Sequence, residues 1–179
     1  MTVPYNYKNC QSLFGYAFHV HLRSRGTCEL CGCGGPNLTF DLWRQMTVEH
    51  LIGKKQGGYL KDIRLAVKER FPDLAIAEQE QISQRIDEAN TVTACSFCNS
   101  TTSQNFCRVG MNELILESQG TPEEVIAQIA AVLRPILEQK RVEVRWKLDS
   151  VRKEFESRFL GAIPRLGAWG GSSAANPAE

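Results

Sequence analysis

Several things are missing from this chain, and each absence narrows what it can be. No stretch approaches the roughly 18 consecutive apolar residues of a membrane span, so a membrane-spanning protein is not expected. The opening Met1-Thr2-Val3-Pro4-Tyr5-Asn6-Tyr7-Lys8 lacks the basic-then-apolar order of a secretory leader, which leads to an expected intracellular, cytoplasmic location. There is no internal repeat, and low complexity is confined to the Gly-, Ser- and Ala-rich tail 167–179, expected to be disordered. An excess of one charge is also missing: 21 Lys and Arg face 20 Asp and Glu, a net charge of +1. The balance is uneven along the chain, with six basic against three acidic residues in 1–58 and six against nine in 59–120. The first part is therefore the one suited to face phosphates, although so small an excess carries little by itself.

What is present fits a soluble globular protein. Of 179 residues, 42% are hydrophobic and 23% charged, enough for one domain with embellishments around a real core. Residues 10–25 suit a helix ending near Gly26. From Leu38 to Ile52, apolar Leu38, Phe40, Leu42, Met46, Val48 and Leu51 alternate with polar partners, which predicts a β-hairpin. Gly57-Gly58 ends that pattern. Lys61 to Arg70 and Leu74 to Ala89 then read as two helices separated by Phe71-Pro72-Asp73, followed by an extended Thr91-Val92-Thr93 and a helix behind Cys95. Thr121-Pro122-Glu123-Glu124 is a capping box with proline at the first helical position. The pattern after it predicts two helices, with a kink or boundary at Pro135 and the second helix spanning about Glu138 to Leu160. Their expected task is scaffolding, with dimerisation or DNA contact as the alternative.

The seven cysteines are an odd number, and four form two Cys-x-x-Cys pairs. In a reducing compartment that pattern suits thiolate ligation better than disulfides. Cys28-Glu29-Leu30-Cys31-Gly32 and Cys95-Ser96-Phe97-Cys98 are two knuckles whose spacing lets both thiolates of each converge on one ion. Four thiolates make a closed tetrahedral Zn2+ site with a structural task. More than sixty residues separate the knuckles, much of it the helical stretch. Cys33 competes with Cys31 as a ligand; a redox dithiol or two unrelated pairs is the competing reading. Cys10 and Cys107 are expected to be ordinary thiols.

Between the knuckles lies Val48-Glu49-His50-Leu51-Ile52. Asn90 precedes the second knuckle by five residues and Asn99 follows Cys98 directly. In this combination the sequence resembles the His-Asn-His (HNH, ββα-metal) nuclease family, whose pattern runs Cys-x-x-Cys, Asp/Glu-His, Gly-Gly, Asn, Cys-x-x-Cys-His/Asn. The resemblance covers roughly 26–105 and excludes an insertion at about 59–88. It implies an α+β fold, a ββα-metal finger with structural zinc embedded in a mainly helical domain. The divisions it implies are a helical segment 1–25, a nuclease core 26–107, a helical region 108–166 and the tail 167–179.

Carried over by position, His50 is the general base, Glu49 a ligand of a catalytic Mg2+ or Mn2+, Asn90 the residue that fixes the histidine loop, and Asn99 the second ligand, a His-Asn-Asn variant. The chemistry agrees with these roles. Imidazole, with an ordinary pKa of about 6.5, can deprotonate water near neutral pH. A hard cation on one carboxylate and one amide oxygen can neutralise a phosphodiester transition state. An Asn amide can hold a loop through its donor and its acceptor. Two departures stand out: Glu replaces the commoner Asp at position 49, and Ser100-Thr101-Thr102 stands where the family often has a basic residue. Lys54, Lys55, Arg44 and Arg108 are candidate phosphate contacts in its place, while His19 and His21 are expected to be surface or packing residues.

The resemblance therefore implies an endonuclease acting on double-stranded DNA, in a prokaryote or phage setting of restriction or mobile-element type. A homodimer is expected where both strands are cut. A non-catalytic zinc-knuckle module binding DNA or protein is the rival reading.

Overall fold

The computed structural model describes residues 18–102 and 108–162. Cys10, Cys107, the residues before 18 and the tail 167–179 lie outside the described residues. Residues 18–23 are helical and end in a turn through Arg25 and Gly26, as expected for the end of the first helix. No helix among the described residues is long and apolar enough to cross a membrane.

The expected hairpin does not form. Thr39 caps a short helix α1 (Phe40–Trp43), its hydroxyl accepting from the Leu42 N–H. Phe40 is exposed, so the alternation there marks no buried strand face. Only Met46–His50 is extended, as strand β1. Its partner is the short extended segment across the intervening helices, β2 (Thr91–Cys95), antiparallel in the register Met46 to Cys95 through His50 to Thr91. Two-period alternation reports which residues share a face, but it does not report which strand supplies the pairing.

The two expected helices between the strands are present as α2 (Leu60–Arg70) and α3 (Ile76–Asn90). Ile63, Ala66 and Val67 of α2 and Ile82 and Ile86 of α3 recur at helical spacing and are buried. They form one core with Leu51 and Ile52, with Met111 and Ile115 of α5 (Met111–Glu117), and with Val125, Ile129, Leu133 and Ile136 of α6 (Pro122–Glu154). The segment that reads as an insertion is thus built into the core. The second knuckle opens α4 (Ser96–Thr101), which packs on both strands.

The capping box forms as expected: the Thr121 N–H donates to Glu124 Oε2 at 2.7 Å and the Glu124 N–H to Thr121 Oγ1 at 3.4 Å. Beyond it, one helix replaces the expected two. α6 (Pro122–Glu154) runs through Pro135 without a break, because the lost N–H and the ring fall on an exposed face while Leu133 and Ile136 stay buried on the other. The described residues fall into two compact units, one ending at Val144 and one beginning at Arg145. In the first, the α6 stripe Val125, Ile129, Leu133, Ile136, Lys140 and Val144 is buried. In the second, Trp146, Val151, Phe155 and Phe159 are exposed, so the apolar pattern expected of that stretch is not covered among the described residues.

Candidate functional site

The first knuckle is a tight loop. The Cys28 N–H donates to the Cys33 carbonyl and the Gly32 N–H to the Cys28 carbonyl, both at 2.8 Å. Gly32 takes the left-handed φ of 81° that such a turn demands. The second knuckle straddles the end of β2 and the first turn of α4, and the Cys95 N–H donates to Cys28 Sγ at 3.3 Å. The Glu29 N–H and the Thr93 carbonyl (2.8 Å), and the Thr93 N–H and Glu29 Oε2 (2.9 Å), bind the two knuckles to each other.

The sulfurs of Cys28, Cys31, Cys33 and Cys95 all lie within 4.8 Å of one another, a group that could hold a metal ion. Cys98, fully buried, hydrogen-bonds Cys28, Cys31 and Cys95. Five thiols therefore converge where a tetrahedral ion takes four. Cys33 joins the cluster beside Cys31 and does not displace it; its competitor for the fourth place is Cys98. Hydrogen bonds from Cys31, Cys95 and Cys98 hold the Cys28 thiol far below its ordinary value. At Cys95 the opposing hydrogen bond with Cys28 is outweighed by those with Cys31 and Cys98, which bring it to about 6, while the same network pushes the Cys31 and Cys98 thiols up. A sulfur that already draws its neighbours' protons is disposed to ligate a soft cation.

Asn90, wholly buried at the end of α3, reaches back across the sheet's open end. Its Oδ1 accepts from the Ile52 N–H at 2.8 Å, and its Nδ2 donates to the carbonyls of Ile52 (3.0 Å) and Gly58 (2.8 Å). Its own carbonyl accepts from the Leu51 N–H at 2.9 Å. The loop after His50 is thereby closed on itself. Gly58 is required there, since a Cβ would overlap the Ile52 carbonyl oxygen.

His50, Glu49 and Asn99 line one cavity of about 480 Å3, together with Lys54, Lys55 and Tyr59. The His50 ring stacks on Tyr59 with centroids 4.4 Å apart, and burial lowers its pKa to about 4. The ring is therefore neutral at pH 7. Lys54 Nζ lies 5.9 Å from the Tyr59 ring centroid. The orientation of Asn99 follows from its neighbour: the Thr47 hydroxyl donates to the Ala94 carbonyl, so it accepts from Asn99 Nδ2 at 2.9 Å. The amide oxygen of Asn99 is then the atom left to serve as a ligand.

Glu49 is 2% exposed, and its Oε1 accepts from the ammonium of Lys140, itself fully buried, at 2.6 Å. One turn of α6 thus holds both halves of the region, because Arg141 Nε donates to the Glu29 carbonyl in the first knuckle at 2.8 Å. Sequence reasoning missed Lys140. The available signal was its place in an otherwise apolar stripe, four residues after Ile136 and four before Val144, where a lysine needs a buried partner.

The remaining candidates are placed as follows. Lys54 and Lys55 reach the cavity, whereas Arg44 pairs with Asp41 at 2.9 Å on the surface. His21 packs inside, its Nδ1 3.0 Å from Thr93 Oγ1, and burial lowers its pKa. His19 is exposed. No known protein family matches the chain, and no curated protein or solved structure matches it.

Two outcomes are expected. Asn90→Ala leaves three buried backbone groups without partners and should cost about 3 kcal/mol in urea unfolding. Metal analysis of the purified protein should find one ion per chain, lost in Cys28→Ser. Because Cys33 and Cys98 can each supply a fourth thiolate, the ion should survive either single serine substitution and be lost from Cys33→Ser/Cys98→Ser.

Proposed function

We propose that this protein is a divalent-metal-dependent endonuclease that hydrolyses DNA phosphodiester bonds, with zinc in the cysteine cluster as a structural ion. The observation that carries the reading is the shared cavity. A neutral imidazole, a carboxylate and an amide oxygen line it with two lysines, beside a loop closed by Asn90. Carboxylate and amide oxygens are the donors a hard cation prefers, so Glu49 and Asn99 fit Mg2+ or Mn2+ in kind. A bound divalent ion supplies charge neutralisation for the phosphate and the leaving oxygen.

The chain's own residues do the rest. His50 accepts the proton of an attacking water, and stacking on Tyr59 limits the rotation of the ring. Lys54 and Lys55 hold phosphate oxygens by charge and fix the strand's position without reading its sequence. Asn90 positions the histidine loop. The knuckles hold β2 and α4 together, and with them the carbonyl of Asn99.

A second reading is favoured by one observation, the ion pair between Lys140 and Glu49. A carboxylate already neutralised by an ammonium suits a non-catalytic module that binds DNA or protein through the lysines of the cavity. Plasmid nicking with Mg2+ or Mn2+ separates the two. His50→Ala should lower cleavage by about 100-fold or more while the fold and the cysteine-bound metal are retained; cleavage equal to the native chain assigns the chemistry elsewhere.

The pH dependence has a definite sign. Burial lowers the His50 pKa, so the base stays unprotonated as pH falls below its ordinary value. The acid limb of cleavage is expected near pH 4 instead of the about 6.5 of a free imidazole.

A further inference from the structure

We propose that Lys140 is a built-in rival to the divalent cation for the Glu49 carboxylate, so that α6 sets how tightly the pocket binds its metal. The proposal rests on the metal-dependent reading of the site and deepens it.

The argument begins with the stripe of α6. Every other position of that stripe between Val125 and Val144 is apolar, yet position 140 carries an ammonium that is completely buried. An isolated charge at such depth is too costly to persist, so it needs an anion within contact distance. The anion it meets is Glu49, the carboxylate of the candidate metal site, at 2.6 Å. The neighbouring Arg141 is pinned through the Glu29 carbonyl, which fixes this turn of the helix against the first knuckle. The ammonium therefore cannot withdraw by a simple rotation of its helix.

Two consequences follow for a cation entering the cavity. The ammonium holds Oε1 and neutralises much of the carboxylate's charge, so a metal on Glu49 must share that carboxylate with it. Its positive charge also repels a divalent ion bound on the same carboxylate, and repulsion at such separations is strong away from bulk water. Lys140 then acts as a positioning residue with an electrostatic cost: it orients Glu49 and weakens the cation site in the same contact.

The experiment measures Mn2+ binding to the zinc-loaded full chain by the electron paramagnetic resonance of free Mn2+, without DNA. Zinc loading keeps Mn2+ from the thiols. Lys140→Gln retains a hydrogen-bond donor and removes the charge, and it is expected to bind Mn2+ about tenfold or more tightly than the native chain. Glu49→Gln/Lys140→Gln should lose that gain, which shows that the effect passes through the carboxylate. Equal or weaker binding by a folded Lys140→Gln overturns the proposal, as does absence of Mn2+ binding in both the native chain and Lys140→Gln.

If Lys140→Gln does not fold, Lys140→Arg carries the test. A guanidinium can engage both carboxylate oxygens, so binding should weaken about tenfold or more, and unchanged affinity overturns the idea. Because DNA is absent, the result is distinguishable from the fate of the nuclease reading. A chain that binds Mn2+ with the expected dependence on Lys140 but cuts no DNA would sink that reading alone.

Discussion

A single buried amide, that of Asn90, sets the conditions for everything around it. A polar side chain with no access to water must satisfy its donor and acceptor atoms inside the protein. Asn90 does so with three backbone groups of the loop between β1 and α2. The loop therefore has one low-energy shape, and the residues on either side of it inherit their positions. His50 sits just before the loop, and Lys54 and Lys55 lie within it. The cavity is in this sense a by-product of hydrogen-bond satisfaction, and its walls are only as rigid as the amide's contacts.

The second organising feature is the turn of α6 that bears Lys140 and Arg141. One residue binds the carboxylate of the cavity and the next binds the knuckle that contributes three cysteines to the thiol cluster. The cluster and the cavity are consequently not independent modules. A displacement of this turn acts on both, through a charged contact at one and a backbone contact at the other.

How much of this could be read beforehand differs from element to element, for physical reasons. The Cys-x-x-Cys pairs were legible because ligation geometry is encoded within four residues, and the cluster forms around both knuckles. That Cys33 joins it, so that five thiols share the site, depends on how the loop closes. The helices α2 and α3 announced themselves by spacing and by Phe71-Pro72-Asp73. The misread hairpin shows the limit of local pattern: Leu38 to Leu42 alternates, but Thr39 makes a better cap than a strand residue, and the true partner of β1 is far along the chain. Pro135 misled in the opposite direction, because proline on an exposed face need not end a helix whose other face is buried. Asn90 was legible only through the resemblance to a family pattern. Lys140 lay hidden because a helical stripe does not say what it will meet.

The pairing of β1 with β2 has a consequence for how the molecule is assembled. About forty residues must be looped out before the first rung of the ladder can close, and an open loop of that size carries an entropic penalty that a two-strand ribbon does not repay alone. The helices α2 and α3 pack on each other, and contacts so local in sequence are expected to form before the strand pairing and so to shorten the effective span. Nucleation is then expected in the helical pair, with the ribbon forming late. Slow or failed maturation of this protein should leave a collapsed helical core with an unformed pocket.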